Sequence, residues 1–340
     1  MGRNGLQIGI VGAGYWGKNL LRTFGKLPNA RIVEICDLDS KLLDAARADF
    51  PEARLGSDLA AMCSRPDVDA ILVATPPSRH HAMALAALRG GKHVWVEKPL
   101  ALTAADAREL VDAAAAAGRT LFVDETFLYD PLVREMKRVV DAGELGEVFH
   151  LSFERLGMGR IRRDSNVWWN SAPHDLSILF HLVPRPVRSV QLHLHTYLQP
   201  GVADMAVCDL ALEGGVTAHV YLSWLHPEKT ATVTVIGSER MLAYEGRFEK
   251  RAVTLFDYAI DRSLPTGASP GGAPIIPIAR FEGRKLDVPL GADPLTLAAE
   301  HFVASILEGR EPLTSGARSL RVVETLETAD LTAIRSGKLV

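Results

Sequence analysis

Residues 8–24, IGIVGAGYWGKNLLRTF, constrain the fold of this 340-residue chain more than any other stretch. A short apolar strand runs into Gly12-Ala13-Gly14-Tyr15-Trp16-Gly17 and then into an amphipathic helical pattern. Each glycine has a physical task in such a turn: Gly12 allows the tight bend, Gly14 lets a pyrophosphate approach, and Gly17 lets helix and strand pack closely. The first N–H groups of the helix lack intrahelical partners and carry the positive end of its dipole, so the turn suits a diphosphate. The competing reading is a glycine-rich strand-to-helix turn that binds nothing. Context favours the first. Ala30 to Cys36 reads as a buried parallel strand ending at Asp37, roughly 20 residues past the last glycine, where an acid takes the adenosine ribose 2′-hydroxyl. A carboxylate there repels a 2′-phosphate, which favours NAD(H) over NADP(H); Lys41 and Arg54 are the nearby cations that would soften that preference.

At this length about two domains are expected. Hydrophobic content of 47% and charged content of 23% are those of an ordinary globular chain. A net charge of −3 with no long basic face argues against nucleic-acid binding. Cys36, Cys63 and Cys208 form no even framework and no C-x-x-C, which fits a reducing cytoplasm and argues against structural zinc. The N-terminus runs from a short polar tag straight into the first strand, so no signal peptide is expected, and no apolar run approaches membrane-spanning length.

Strand and helix signals alternate through residues 1–124, the expected dinucleotide-binding domain with a parallel sheet. The strand at Ala70 to Ala74 runs into Thr75-Pro76, and the strand His93 to Val96 into Glu97-Lys98-Pro99. Open α/β sheets bind ligands at that carboxyl edge, so a reactive lysine is expected at Lys98. From residue 125 the pattern changes: a helix at Pro131 to Ala142, a strand near Glu147 to Arg155, a helix from about Pro173 to Leu182, then closely spaced β-rich runs between Val187 and Phe256. Close spacing without helices implies an antiparallel sheet, so residues 125–340 are expected to form one α+β substrate and oligomerisation domain with a large, mostly antiparallel open sheet. Residues 262–280, rich in Pro, Gly and Ser, read as a long mobile loop, and helical patterns follow at Pro294 to Leu307 and Ala317 to Ile334.

The segments GIVGAGYWGKN, ATPPSRHHAMALAALRGGKHVWVEKPL, GELGEV, APHDLS and HFVASILEGREPLTSG, in this order, resemble the Gfo/Idh/MocA oxidoreductase family over essentially the whole chain. The stretches ETFLYDPLVREMKRVVDAGELGEV and ERLGMGRIRRDSNVWWNSAPHDLSIL look most like members acting on nucleotide-linked or amino sugars. The resemblance implies a Rossmann domain and a metal-free NAD(P)-dependent dehydrogenase, oxidising a secondary alcohol of a sugar or cyclitol by hydride transfer to the nicotinamide. By the same resemblance Tyr15, Trp16, Thr75, Pro76, His80, Glu97 and Lys98 join Gly12, Gly14, Gly17 and Asp37 around the cofactor, and a homodimer or homotetramer is expected. The chemistry needs a base for the hydroxyl proton and a cation beside the developing alkoxide. Lys98 and His174 are the candidates.

The family usually carries an aspartate four residues before the histidine, where this chain has Asn170. An amide hydrogen-bonds a hydroxyl but holds no charge and relays no proton. Three arrangements stay open: His174 acts alone, Lys98 takes over as base, or the protein is a degenerate member. Upstream, Arg155, Arg160, Arg162 and Arg163 crowd together. Arginine forks suit phosphate, so Arg160 and Arg163, with Asn170 and His174, are the substrate-binding candidates, against a solvated loop charged for solubility. His193 and His195 share a strand face without a third ligand and read as surface. The competing functions are a cyclitol or inositol dehydrogenase, a sugar ketoreductase, and a protein that senses dinucleotide without turnover.

Overall fold

The first strand, β1 (Leu6–Val11), is buried along nearly its whole length, as a strand covered on both faces must be. In the computed structural model, which describes residues 5–158, 161–163, 165–247, 250–260 and 278–337, the chain then alternates strand and helix. In order these are α1 (Tyr15–Phe24), β2 (Ala30–Cys36), α2 (Ser40–Asp49), β3 (Arg54–Gly56), α3 (Leu59–Ser64), β4 (Ala70–Val73), α4 (His80–Arg89), β5 (His93–Val96), α5 (Ala104–Ala117) and β6 (Leu121–Val123). Side chains of Asp39, Asp58 and Thr103 cap α2, α3 and α5 by accepting from N–H groups of the first turn. All the strands run parallel in the order β3-β2-β1-β4-β5-β6. The order reverses between β1 and β4, which opens a crevice at their carboxyl ends beside Gly12 and Thr75. The lysine of the Gly91-Lys92 turn is structural: it is buried, and Nζ donates to the carbonyls of Arg65 and Val68.

Beyond Asp130 come α6 (Pro131–Asp141), β7 (Val148–Leu156), α7 (Val167–Leu182), β8 (Val187–His195), β9 (Met205–Leu212), β10 (Thr217–Ser223), β11 (Thr230–Gly237), β12 (Arg240–Arg247), β13 (Lys250–Ile260) and β14 (Ile278–Lys285). The helix expected from Pro173 begins at Val167 instead, because Asn166 caps it by accepting from the Trp169 N–H at 3.0 Å, and Pro173 lies inside. Residues 262–277 of the expected loop lie outside the described residues, and its last three residues already belong to β14.

Two helices follow, α8 (Pro294–Glu308) and α9 (Gly316–Leu331), and a short strand, β15 (Ile334–Ser336), occupies what was expected as the end of α9 and pairs in parallel with β8. Two compact units result: Met1–Tyr129 with Ala292–Glu327, and Asp130–Gly291 with Thr328–Val340. The expected assignment of everything from 125 to 340 to a single second domain therefore differs at residues 125–129 and 292–327, which pack with the first unit. The reason is a shared aromatic core: Phe302 of α8 meets Phe24, Trp95 and Phe122 edge to face, with centroids 6.1, 5.6 and 5.4 Å away. In the second unit a nine-stranded sheet has the order β14-β13-β12-β11-β7-β10-β9-β8-β15, antiparallel except for the pairs β7/β10 and β8/β15.

Candidate active site

The glycine turn is built as its sequence demands. Gly12 sits at φ +94°, and a Cβ there would lie 2.7 Å from the Ala74 carbonyl oxygen. A Cβ on Gly17 would lie 1.9 Å from the Gly12 carbonyl oxygen, so helix and turn touch through backbone alone. Gly14 instead faces open space. It stands at the N-cap of α1 with no side-chain cap and no acid in the first turn, an arrangement that suits an anion at the helix start. Asp37 is half-buried beside the turn: Oδ2 accepts the Ala13 N–H at 2.7 Å and Oδ1 the Asp39 N–H at 2.9 Å. Arg54 is bonded to Glu34 through Nε and to Asp67 through Nη1, and Lys41 is exposed on α2.

Thr75 follows β4 and Glu97 follows β5, both at the crevice edge, and each holds a buried oxygen, Thr75 Oγ1 and Glu97 Oε1, with no hydrogen-bond partner among the described residues. Buried polar atoms are rarely left so, and these two fit a ligand that supplies the missing partners. Tyr15 and Pro76 are exposed nearby, and Trp16 donates its indole N–H to Asp124 Oδ2 at 3.3 Å. His80 is fully buried at the same edge, with Nδ1 2.7 Å from the Pro99 carbonyl and Nε2 2.9 Å from the Thr75 carbonyl. Burial holds its ring below the ordinary imidazole range, and a neutral ring has one N–H to donate to one of the two carbonyls. Between them Lys98 is half-buried, joined to Pro99 by a cis peptide, and its charge is felt by both Glu97 and Asp124.

In the second unit, Asn170 and His174 are one turn apart on α7 and so share a face. Both are partly exposed, and His174 Nδ1 is buried. Asp175 points the other way, into the unit, where Arg155 of β7 grips it with Nε to Oδ2 at 3.1 Å and Nη2 to Oδ1 at 2.7 Å. Arg155 is thus an internal anchor for α7, not part of a phosphate-binding cluster. Arg163 is exposed; Arg160 and Asp164 lie outside the described residues. His195 Nδ1 is bonded to Ser336 Oγ at 2.9 Å, and among the described residues no group of three His, Cys, Asp or Glu side chains could hold a metal. Sequence reasoning passed over Asp124 and Glu125, two acids following the apolar strand β6, although charge directly after a buried strand was the available signal. Both are buried, and burial raises Asp124 and pushes Glu125 up to about 7.

Comparison with known proteins matches two family models to the chain: the oxidoreductase family, NAD-binding Rossmann fold, over residues 6–125, and the GFO/IDH/MocA C-terminal domain over residues 133–243. D-apiose dehydrogenase of Paraburkholderia graminis is 28% identical over 348 aligned positions, covering 97% of this chain and 88% of that protein. Inositol 2-dehydrogenase 2 of Saccharopolyspora erythraea is 32% identical over 225 positions, covering 63% and 66%. The UDP-N-acetylglucosamine 3-dehydrogenase of Acidithiobacillus ferrooxidans superposes with a TM-score of 0.81 at 21% identity, over 96% and 97% of the two chains, a likeness of fold.

Proposed function

The chain belongs to the Gfo/Idh/MocA family of NAD-dependent oxidoreductases, and from that premise we propose that it oxidises a secondary alcohol of a sugar, with a nucleotide-linked or amino sugar as the substrate class. The observation that carries the reading is the crevice edge itself: an uncapped α1, the Asp37 carboxylate, and the orphaned oxygens of Thr75 and Glu97. Bound NAD supplies the hydride acceptor. The N–H groups around Gly12, Gly14 and Gly17 would hold its pyrophosphate, and Asp37 its ribose hydroxyl. Lys98 would offer an ammonium to the oxygen that gains negative charge as its proton leaves for the His174 imidazole, and that charge is spent in forming the carbonyl as the hydride departs. Asn170 hydrogen-bonds the same hydroxyl without adding charge. Arg163, exposed upstream of α7, supports a phosphate-bearing substrate, and similarity to inositol 2-dehydrogenases supports a cyclitol as the second reading.

The reading includes self-association, supported by the sheet of the second unit, where Val207, Asp209, His219 and Tyr221 stay partly open to solvent while Ala206, Cys208, Val220 and Leu222 alternate into the core. A cytoplasmic location is supported by three free, buried cysteines, and no described helix is long and apolar enough to cross a membrane. The test is NAD reduction with a panel of nucleotide sugars, free sugars and cyclitols. Lys98→Ala and His174→Ala are each expected to lose most turnover while still binding NADH. Binding without turnover across the panel would instead favour a dinucleotide sensor.

A further inference from the structure

At the carboxyl ends of β5 and β6 two acids stand side by side. Val96 pairs with Val123 in parallel register, so Glu97 and Asp124 leave adjacent strands at the same level. Both side chains are buried, 8% and 1% exposed, and each carboxyl bears on the other's titration. Two ionised carboxylates have only acceptors to offer, so a hydrogen bond between these neighbours requires a proton. The surrounding donors decide where the charge stays. Thr126 Oγ1 donates to Asp124 Oδ1 at 2.6 Å and Trp16 Nε1 to Oδ2 at 3.3 Å, while Glu97 shares only the indole N–H. Asp124 is therefore the stabilised anion, and the proton rests on Glu97. Burial, then the Asp124 charge, push Glu97 well above the ordinary carboxyl range, with Lys98 and Trp16 pulling the other way.

That arrangement leaves Glu97 with one oxygen to spare. Oε1 is buried, has no partner among the described residues, and follows β5 at the crevice edge, where Thr75 Oγ1 is likewise without one. On a neutral carboxylic acid this oxygen is a pure acceptor, so what it lacks is an N–H or O–H. Resting on the cofactor reading above, we propose that Glu97 works as a neutral acid, its hydroxyl donating to Asp124 and its Oε1 accepting an N–H from the nicotinamide carboxamide, with Asp124 as the positioning residue. The pair's single negative charge stays on Asp124, under the field of Lys98. A neutral acceptor at this place orients the ring by hydrogen bonding alone.

The experiment compares dissociation constants of NADH, reduced 3-acetylpyridine adenine dinucleotide, which lacks the amide N–H, and ADP-ribose, which lacks the ring. Wild type is expected to prefer NADH over the acetylpyridine analogue by about tenfold, the scale of one buried hydrogen bond. Glu97→Gln, which keeps a donor for Asp124 and an acceptor for the carboxamide, should retain that preference; Glu97→Ala should abolish it, and Asp124→Ala should reduce it. ADP-ribose should bind all four proteins alike. Because the preference is a ratio measured within one protein, a variant that is only partly folded still reports it. The proposal is overturned if Glu97→Gln loses the preference as fully as Glu97→Ala, since the acid then works ionised. It is equally overturned if Glu97→Ala keeps the preference. Failure of wild type to bind ADP-ribose would sink the cofactor reading itself, and this proposal with it.

Discussion

Asp37 spends both carboxylate oxygens on backbone N–H groups, one from Ala13 inside the glycine turn, so the residue proposed to select the ribose also holds the turn in shape. Asp37→Ser is expected to narrow or reverse the preference for NADH over NADPH, and also to weaken NADH itself, because the Ala13 N–H loses its acceptor; calorimetric titration with both cofactors measures the two effects together. Glu125 presents a separate problem, since it is buried without serving the crevice. Burial first, then the Asp124 charge, raise it to about 7, against the pull of Ser319 and Arg318. As pH climbs, the unfolded carboxyl ionises near its ordinary value while the folded one still holds its proton, so folding stability falls between those two points and stays lower above them. Glu125→Gln should therefore match wild type near pH 4 and exceed it near pH 8 by up to about 3 kcal/mol, from ~1.4 kcal/mol per pK unit. Urea unfolding at the two pH values tests this, and an equal difference at both would show that Glu125 does not titrate in this window.

Among elements, α7 matters most to the chemistry, because beginning at Val167 it carries both Asn170 and His174 on one face, while Asp175 and Arg155 fix its rotation. A carboxylate one turn from the histidine would favour the imidazolium, so Asn170→Asp should move the acidic limb of kcat/KM to higher pH. A pH–rate profile of both proteins on one substrate decides it; an unmoved limb would uncouple the two residues and make Lys98 the better base. This helix also shows where sequence reading stops. Most parallel strands of the first unit were legible as apolar runs, whereas β3, Arg54-Leu55-Gly56, carries no such signal; side chains of Asp39, Asp58 and Thr103 mark the starts of three helices. Pro173 gave a false start signal, since the true cap, Asn166, lies in a polar stretch without hydrophobic periodicity. The Glu97–Asp124 pair was illegible for another reason: it exists only because β5 and β6 are neighbours in parallel register, a pairing that no local pattern encodes.

For the molecule as a whole, the chain leaves its first unit at Tyr129 and returns to it at Ala292. The periodicity of α8 predicts a helix with an apolar face but cannot say which core receives that face. The structure answers with Phe302, fully buried among Phe24, Trp95 and Phe122, and with the Thr314 carbonyl accepting the Val123 N–H at 2.9 Å beside β6. A sheet that binds the cofactor is thereby completed by residues supplied long after its last strand, a contact of high sequence separation that folding must close late. Phe302→Ala removes a ring from a packed aromatic cluster and should destabilise the first unit by about 3–5 kcal/mol, the range for aromatic truncation in a core. Because NADH binds only the folded form of that unit, NADH at about a hundred times its dissociation constant should restore roughly 2.7 kcal/mol of the loss. Urea unfolding followed by fluorescence, with and without NADH, measures both quantities. A shift below about 1 kcal/mol would mean that the site collapses around the missing ring and that α8 is not what holds the sheet together.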